Sequence, residues 1–270
     1  MALSEDFGDG DHTSLATVPE NAMGEAVVLA KEIGIIAGIS VAKEVFFQVD
    51  KELEFEVFIE DGSSIEPGDE VMIVKGRARS LLSAERTALN FIQRMSGIAT
   101  FTNKVMQKVS GTNVQVLDTR KTTPCNRAIE KLAVKIGGGT NHRFGLFDMI
   151  MIKDNHVDFS GGIKNAIEST HKYLKSNNKS LPIELEVRDF EELNEAMQVG
   201  GIDRIMLDNF SPTDLSKALK IINKKYVTEA SGGISLDTIR DFAETGVDSI
   251  SVGALTHQIK SLDLSLKAKF

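Results

Sequence analysis

From Glu25 to Arg79 the apolar residues fall in short runs, EAVVLAKE, VFFQVD, LEFEVFIEDG and DEVMIVKGRA, separated by Gly, Pro and Asp turn residues such as EPGDE. This rhythm predicts a mostly antiparallel sheet. In SAERTALNFIQRMSGIATFTNKVMQKV the period lengthens. Ala88, Phe91, Ile92 and Met95 recur at helical spacing, which predicts a linker helix N-capped by Ser83 and broken near Gly97. Beyond it the pattern changes again, to apolar runs VQVLDT, MIMIKD, IELEV, RIMLDN, VTEASG and SISVGA, each closed by polar or small residues. The last four recur about every 22 residues, and segments such as DFEELNEAMQVGG and SLDTIRDFAETGV between them read as amphipathic helices. The chain therefore divides into an N-terminal domain with its linker helix, residues 1–102, and a βα domain, residues 103–270.

Successive βα units predict a parallel α/β barrel, with an open doubly wound sheet as the alternative. In a barrel, groups at strand C-terminal ends converge on one mouth. That would gather Asp118, Lys153, Glu186, Asp208, Glu229 and Gly253 from distant parts of the sequence.

Composition narrows the chemistry. A length of 270 residues with 41% hydrophobic content supports one large or two modest globular domains. The formal net charge of -8, two Tyr and no Trp argue against an extended nucleic-acid surface. Cys125 is the only cysteine, which removes intramolecular disulfides and Cys-rich zinc sites and suits a reducing compartment. The acidic start MALSEDFGDGDHTS has no signal-peptide order, and no apolar run nears the ~18 residues of a membrane span. A cytoplasmic protein is expected.

Against the acidic background, DTRKTTP, KIGGGTNHR and MIKDNH concentrate Arg120, Lys121, His142, Arg143 and Lys153 near strand ends and Gly-containing loops. A positive pocket on an acidic body suits a small polyanion. Guanidinium forks pair bidentately with carboxylate or phosphate, so Arg120 and Arg143 are the better anion readers. Solvated loop positions for Arg120 and Lys121, and a surface ion pair for Arg143, are the plainer alternative. A lysine ending the buried run MIMI, as Lys153 does, rarely sits there for solubility alone.

Glu186 and Asp208 end neighbouring strands. They are placed to hold Mg²⁺ through oxygen or water, to stabilise positive charge developing on a sugar, or simply to pair with Lys153 or Arg143. Glu184 shares the parity of Glu186 and points to the same face. Ser231, Gly232 and Gly233 precede the helical pattern SLDTIRDFA, and their amides with Gly253 and Ala254 form a candidate phosphate cup on the last two strands. Gly137, Gly138 and Gly139 follow the helical run AIEKLAVKI and read as its C-terminal stop.

DTRKTTP, GGGTNHRFGLFDMIMIKDNH, LDNF, EASGGI and VGALTH, with LSEDFGDGDHTS and ERTALNFIQRMSGIAT, closely resemble the quinolinate phosphoribosyltransferase family, also called nicotinate-nucleotide pyrophosphorylase (carboxylating), in family order over nearly the whole chain. The resemblance implies an α/β protein: an N-terminal open-faced α/β sandwich and a C-terminal incomplete parallel α/β barrel. It implies a type II phosphoribosyltransferase that converts quinolinate and phosphoribosyl pyrophosphate into nicotinate mononucleotide, pyrophosphate and CO₂ in de novo NAD biosynthesis. It also implies Mg²⁺ and a homodimer, or a higher oligomer, with shared sites. By motif, Arg86 from the partner subunit would join Thr119, Arg120, His142, Arg143 and Lys153 around quinolinate. Lys121, Lys153, Glu186 and Asp208 would carry the catalytic roles. Glu186 and Asp208 would meet ribose and Mg²⁺-pyrophosphate, through water or the pyrophosphate itself. Ser231, Gly232, Gly233, Val252, Gly253 and Ala254 would hold the 5′-phosphate.

One departure stands out. The family more usually carries glycine where Cys125 follows TTP, so Cys125 either adopts a glycine-like backbone at some cost or the loop takes another path. Three rivals are a same-fold relative associated with molybdenum transport, a lyase forming a Schiff base on Lys153, and a sugar-phosphate binder without turnover.

Overall fold

The computed structural model describes residues 1–269. In chain order its elements are α1 (Ala2–Phe7), α2 (His12–Thr17), β1 (Met23–Ala30), β2 (Gly34–Ile35), α3 (Ile39–Val49), β3 (Glu54–Val57), β4 (Ser64–Ile65), β5 (Glu70–Arg77) and α4 (Ala78–Lys108). Then follow β6 (Gln115–Leu117), α5 (Arg127–Ile136), β7 (Ile150–Ile152), α6 (Asp154–Ser160), α7 (Ile163–Ser176), β8 (Ile183–Val187) and α8 (Phe190–Val199). The chain ends with β9 (Arg204–Asp208), α9 (Pro212–Ile222), β10 (Val227–Ser231), α10 (Ile239–Ala243), β11 (Ser249–Ser251), α11 (Ala254–His257) and β12 (Leu264–Lys269). Two compact units result: residues 1–103 with 128–138 and 258–270, and residues 104–127 with 139–257.

The first unit carries an antiparallel sheet in the order β12-β1-β5-β3. Ala26, Val28, Met72 and Val74 on one face join Ala42, Val45 and Phe46 of α3 and Ala84, Ala88 and Ile92 of α4 in a single apolar core. On the other face of the same strands Lys75 bridges Glu25 and Glu56 at 3.3 and 3.6 Å.

Three local expectations are corrected in this unit. VFFQVD is not a strand: Ile39, Ala42, Val45 and Phe46 are buried at helical spacing, and the run forms the second half of α3. The helix begins after Gly38, whose φ of 100° is left-handed, where the Ile39 N–H donates to Asp61. Ser83 is no N-cap, because α4 already starts at Ala78, and its hydroxyl donates instead to Asp11. Gly97 does not break α4. A Cβ at Gly97 would strike the backbone of Lys260, so glycine serves close packing there.

Asp50, at the end of α3, accepts from Arg77 Nε at 2.7 Å and Nη2 at 2.6 Å, from Ser80 Oγ at 2.8 Å and from the Glu52 N–H at 3.1 Å. The Arg77 hydrogen bonds outweigh burial and hold its carboxyl far below the usual range. A depressed folded-state pKa stabilises above the unfolded value and loses that contribution as pH falls through and below it. Asp50→Asn should therefore lower unfolding stability by about 1–3 kcal/mol at pH 7, with the gap to the parent closing as pH drops below about 4. Urea melts at pH 7 and at pH 3 check both parts; an equal gap at the two values would contradict the assignment.

In the second unit all six sheet strands run parallel in the order β6-β11-β10-β9-β8-β7. Strands consecutive in the chain are neighbours from β7 to β11, and the first strand, β6, pairs with the last. The remaining break, between β6 and β7, leaves the barrel incomplete, and Thr140 bridges to the free edge of β6 at Leu117. The helices between strands start and stop by ordinary capping. Asp189 accepts from the N–H groups of Glu191 and Glu192 at the start of α8, and Ser211 from Asp214 at the start of α9, where Pro212 occupies the first turn. The helix expected over SLDTIRDFA is shorter than its pattern. Ser235 and Thr238 hydrogen-bond each other in a turn, and α10 begins only at Ile239.

Candidate active site

Strand pairing aligns the charged residues of the barrel on one face. Glu184 is in register with Arg204, and Glu186 with Met206, which in turn pairs with Glu229; Asp208 pairs with Ser231. With side chains alternating along a strand, Glu184, Glu186, Arg204, Asp208, Glu229 and Ser231 share that face at successive levels.

At the upper level, Lys153 leaves the end of β7 and donates to Glu186 Oε2 at 2.8 Å. Asp208 accepts from Ser231 Oγ at 2.5 Å and from Asn209 Nδ2 at 2.6 Å. Gly232 and Gly233 follow with φ of 92° and 62°, a left-handed pair that turns the chain back. A Cβ on Gly232 would strike the Asn209 side chain, so the glycine lets the turn approach β9. Because α10 starts later, these amides belong to a loop and not to a helix N-terminus. On the next strand end, Gly253 leaves room for Lys121: a Cβ there would stand 3.1 Å from Lys121 Cδ. The Lys121 N–H donates to Thr119 Oγ1 at 3.0 Å, and its carbonyl accepts from Thr256 at 2.7 Å, which ties the DTRKTTP loop to the segment after β11. Val252 is buried and Ala254 opens α11.

Arg143 is partly buried, and its Nη1 donates to the Met149 carbonyl at 3.2 Å. Burial weakens its hold on a proton, and the nearby Arg120 charge weakens it further. Two guanidiniums are thus held near each other although they repel. Arg120 and Lys121 are exposed, as is Arg86, which lies on α4 in the first unit.

Beside these residues is a group that the sequence pattern only partly signalled. His142 Nε2 stands 3.1 Å from Glu184 Oε2 and 3.3 Å from Glu229 Oε2, and Arg204 Nη1 lies 3.0 Å from Glu229 Oε2. The His142 side chain is 4% exposed and both carboxylates 0%. Burial disfavours charge on the imidazole, but the two carboxylates reverse this and push its pKa up to about 9. Burial pushes Glu184 up; it also acts to raise Glu229, where His142 and Arg204 outweigh it and hold the carboxyl low. Nδ1 lies 2.6 Å from the Arg143 amide nitrogen, a hydrogen bond open only to the neutral ring. Ligand atoms of His142, Glu184 and Glu229 lie within 4.8 Å of one another, the donor set of a cation site, and the Arg204 guanidinium already supplies positive charge there. Of these residues, Glu229 was expected at a strand end, whereas it sits mid-strand in the interior, and Arg204 was not anticipated. Both were legible as charges at alternating positions of otherwise apolar strands.

Cys125 has φ of 64°, so it adopts the glycine-like conformation rather than rerouting the loop. It is exposed. A left-handed non-glycine residue costs about 1–2 kcal/mol, partly offset because glycine loses more chain entropy on folding. Cys125→Gly should raise stability by about 0.5–1 kcal/mol with activity retained. A thermal melt with a parallel rate measurement checks this, and lost activity would show that the thiol matters.

A left-handed glycine turn after β10, carboxylates on the strands beside it and cations on the loops after β6 and before β7 suit a site for anionic ligands. The family described as quinolinate phosphoribosyl transferase, C-terminal domain, matches residues 98–267, and its N-terminal domain matches residues 11–96. The chloroplastic nicotinate-nucleotide pyrophosphorylase [carboxylating] of Oryza sativa subsp. japonica is 45% identical, the match covering 99% of this chain and 76% of the relative. A probable nicotinate-nucleotide pyrophosphorylase [carboxylating] of Bacillus subtilis is 43% identical, over 97% and 89%. Among solved structures, the nicotinate-nucleotide pyrophosphorylase from Francisella tularensis superposes with a TM-score of 0.91 at 42% identity, covering 99% of this chain and 93% of that one. With both domains matched in order and the barrel open in the same family fold, this chain belongs to the quinolinate phosphoribosyltransferase family.

Proposed function

We propose that this chain transfers the phosphoribosyl group of phosphoribosyl pyrophosphate to quinolinate and releases nicotinate mononucleotide, pyrophosphate and CO₂, as a step of NAD biosynthesis. The observation that carries the reading is Arg143, partly buried and near enough to Arg120 for the two guanidiniums to repel. Such a pair is stabilised by a ligand with two carboxylates. In this reading Arg120, Arg143 and Lys153 grip the pyridine dicarboxylate, with Thr119 and His142 in the same group. The loop Ser231, Gly232 and Gly233, with Val252, Gly253 and Ala254, takes the 5′-phosphate through its amides. Lys121 neutralises phosphate charge from the opposite loop.

Glu186 and Asp208 face the ribose. As the bond from the anomeric carbon to pyrophosphate lengthens, positive charge grows on the sugar, and carboxylates fixed by Lys153 and by Ser231 and Asn209 stabilise it without reorganising. The ring nitrogen of quinolinate then bonds to that carbon. The resulting pyridinium stabilises the electron pair left on carbon 2 when the 2-carboxylate leaves as CO₂, and that carbon then takes a proton from solvent, so the protein positions charges and supplies no covalent nucleophile. Glu186 and Asp208 are also oxygen donors suited to Mg²⁺, and their existing hydrogen bonds favour holding it through water or pyrophosphate oxygens. When bound, the ion neutralises pyrophosphate as it departs.

The family resemblance further assigns Arg86 to the site of a partner subunit in a homodimer. Arg86→Ala and Lys153→Ala proteins, each inactive alone, should regain part of the activity when refolded together, because some mixed dimers hold one intact site. No recovery would favour self-contained sites. The single cysteine supports a reducing, cytoplasmic setting, and among the described residues no helix is long and apolar enough to cross a membrane. The direct test of the reaction is to incubate the protein with phosphoribosyl pyrophosphate, Mg²⁺ and either quinolinate or nicotinate. Nicotinate mononucleotide should form from quinolinate alone. Product from nicotinate only would overturn the assignment.

A further inference from the structure

We infer that Asn209 is a positioning residue for phosphoribosyl transfer: its carboxamide fixes the Asp208 carboxylate and its main chain fixes the Ser231 carbonyl, locking the ribose side of the subsite to the turn that takes the 5′-phosphate. The inference rests on the reading of Asp208 as a carboxylate that faces the ribose.

Asn209 is the first residue after β9, and three contacts meet on it. Its Nδ2 donates to Asp208 Oδ2 at 2.6 Å, and its N–H donates to the Ser231 carbonyl at 2.9 Å. Ser231 in turn donates from Oγ to Asp208 Oδ1 at 2.5 Å, which closes a ring of contacts across the pairing of β9 with β10. Gly232 lies against the same residue: a Cβ there would overlap the Asn209 carboxamide and stand 2.8 Å from its main-chain nitrogen. The Asn209 backbone is left-handed, with φ of 58°. Glycine would meet that need with less strain, so the turn alone does not call for a carboxamide. Asn209 is exposed, so core packing does not call for one either. Asparagine tolerates the conformation and adds what glycine lacks, a donor on Asp208. Beyond it the chain is anchored by Phe210, buried against Phe190 with 5.4 Å between ring centroids.

Both donors on Asp208 are neutral. They orient the carboxylate without cancelling its charge, whereas Glu186 is already paired with the Lys153 ammonium at 2.8 Å. A carboxylate has about four lone-pair sites, so one donor on each oxygen leaves room for a ribose hydroxyl or an ion-bound water. Asp208 is therefore held in a fixed orientation with its charge intact, ready for the positive charge that grows on the sugar. Without the Asn209 carboxamide, Oδ2 is released and the carboxylate can swing on its remaining bond to Ser231. The cations of the other loops keep their contacts.

Three variants separate this role from a structural one. Asn209→Gly keeps the left-handed turn and the N–H contact but removes the donor, and Asn209→Ala removes the donor and also strains the turn. Asn209→Asp keeps the shape and sets a second carboxylate where the donor was. Each is measured for kcat at saturating substrates, for both KM values and by thermal melt. The Gly and Ala variants should lose kcat alike, by about 10- to 100-fold, while the quinolinate KM stays within about threefold. Of these two, only the Ala variant should also melt earlier. The Asp variant should lose at least as much kcat as the Gly variant. A turn that needed only its left-handed backbone would leave the Gly variant at the parent's kcat, and that result would overturn the inference. So would a parental kcat in the Asp variant, or a quinolinate KM that rises as steeply as kcat falls. Failure of the parent protein to form nicotinate mononucleotide would instead reject the functional reading, so the two failures are distinct.

Discussion

Arg143→Ala should raise the KM for quinolinate by roughly 30- to 700-fold while leaving that for phosphoribosyl pyrophosphate within a few fold. The figure follows from the cost of truncating one partner of a desolvated charge pair, about 2–4 kcal/mol, at 1.4 kcal/mol per decade. Two features place Arg143 at the upper end of that cost. It is partly buried, so its charge is poorly solvated without a ligand, and Arg120 stands near enough to raise the free-state energy further. A dianion relieves both. The Met149 carbonyl loses a donor in this variant, so a thermal melt should accompany the kinetics. Equal weakening of both substrates at unchanged stability would remove Arg143 from its assigned role.

Lys153→Met should lower kcat/KM by about 10²–10³ or more, the range for removing one preorganised charge from a transition state. The lysine has two tasks here. It presents an ammonium at the end of β7, and it neutralises Glu186, whose side chain is 8% exposed and 2.8 Å away. Methionine keeps the stem but strands the carboxylate, so some stability is lost too. Lys153→Met combined with Glu186→Gln should recover the stability and stay inactive. If the double variant regains activity, Lys153 serves only to quench Glu186. A Schiff-base role predicts a covalent adduct trapped by borohydride with a carbonyl substrate; the proposed reaction predicts none.

Much of this was legible in the sequence, for physical reasons that can be named. The six barrel strands are short apolar runs ended by polar residues, a pattern that survives in structure because buried parallel strands tolerate few other sequences. The DTRKTTP, TNHR and ASGG motifs could be placed because loops at strand ends carry chemistry and not core packing. The misread parts depend on partners far along the chain. Val45–Asp50 looks like a strand until Ile39 and Ala42 are counted with it, when the period becomes helical. β12 completes the first sheet by pairing with β1, but nothing near LSLKAK announces a partner more than two hundred residues away. Gly97 reads as a break because local propensity cannot show the Lys260 backbone beside it. In the site, Glu186 and Lys153 were each recognisable and their pairing was one of the alternatives open in the sequence, whereas the His142, Glu184, Glu229 and Arg204 group needed the strand register. Arg204 was missed because it opens its strand, where a charge ordinarily faces solvent.

Quinolinate labelled in its 2-carboxylate tests the central claim most directly, because it joins both halves of the site in one measurement. With protein, Mg²⁺ and phosphoribosyl pyrophosphate, labelled CO₂ and nicotinate mononucleotide should appear together in a one-to-one ratio, and without phosphoribosyl pyrophosphate no label should be released. Label released without the sugar donor, or a mononucleotide that retains the label, would contradict it.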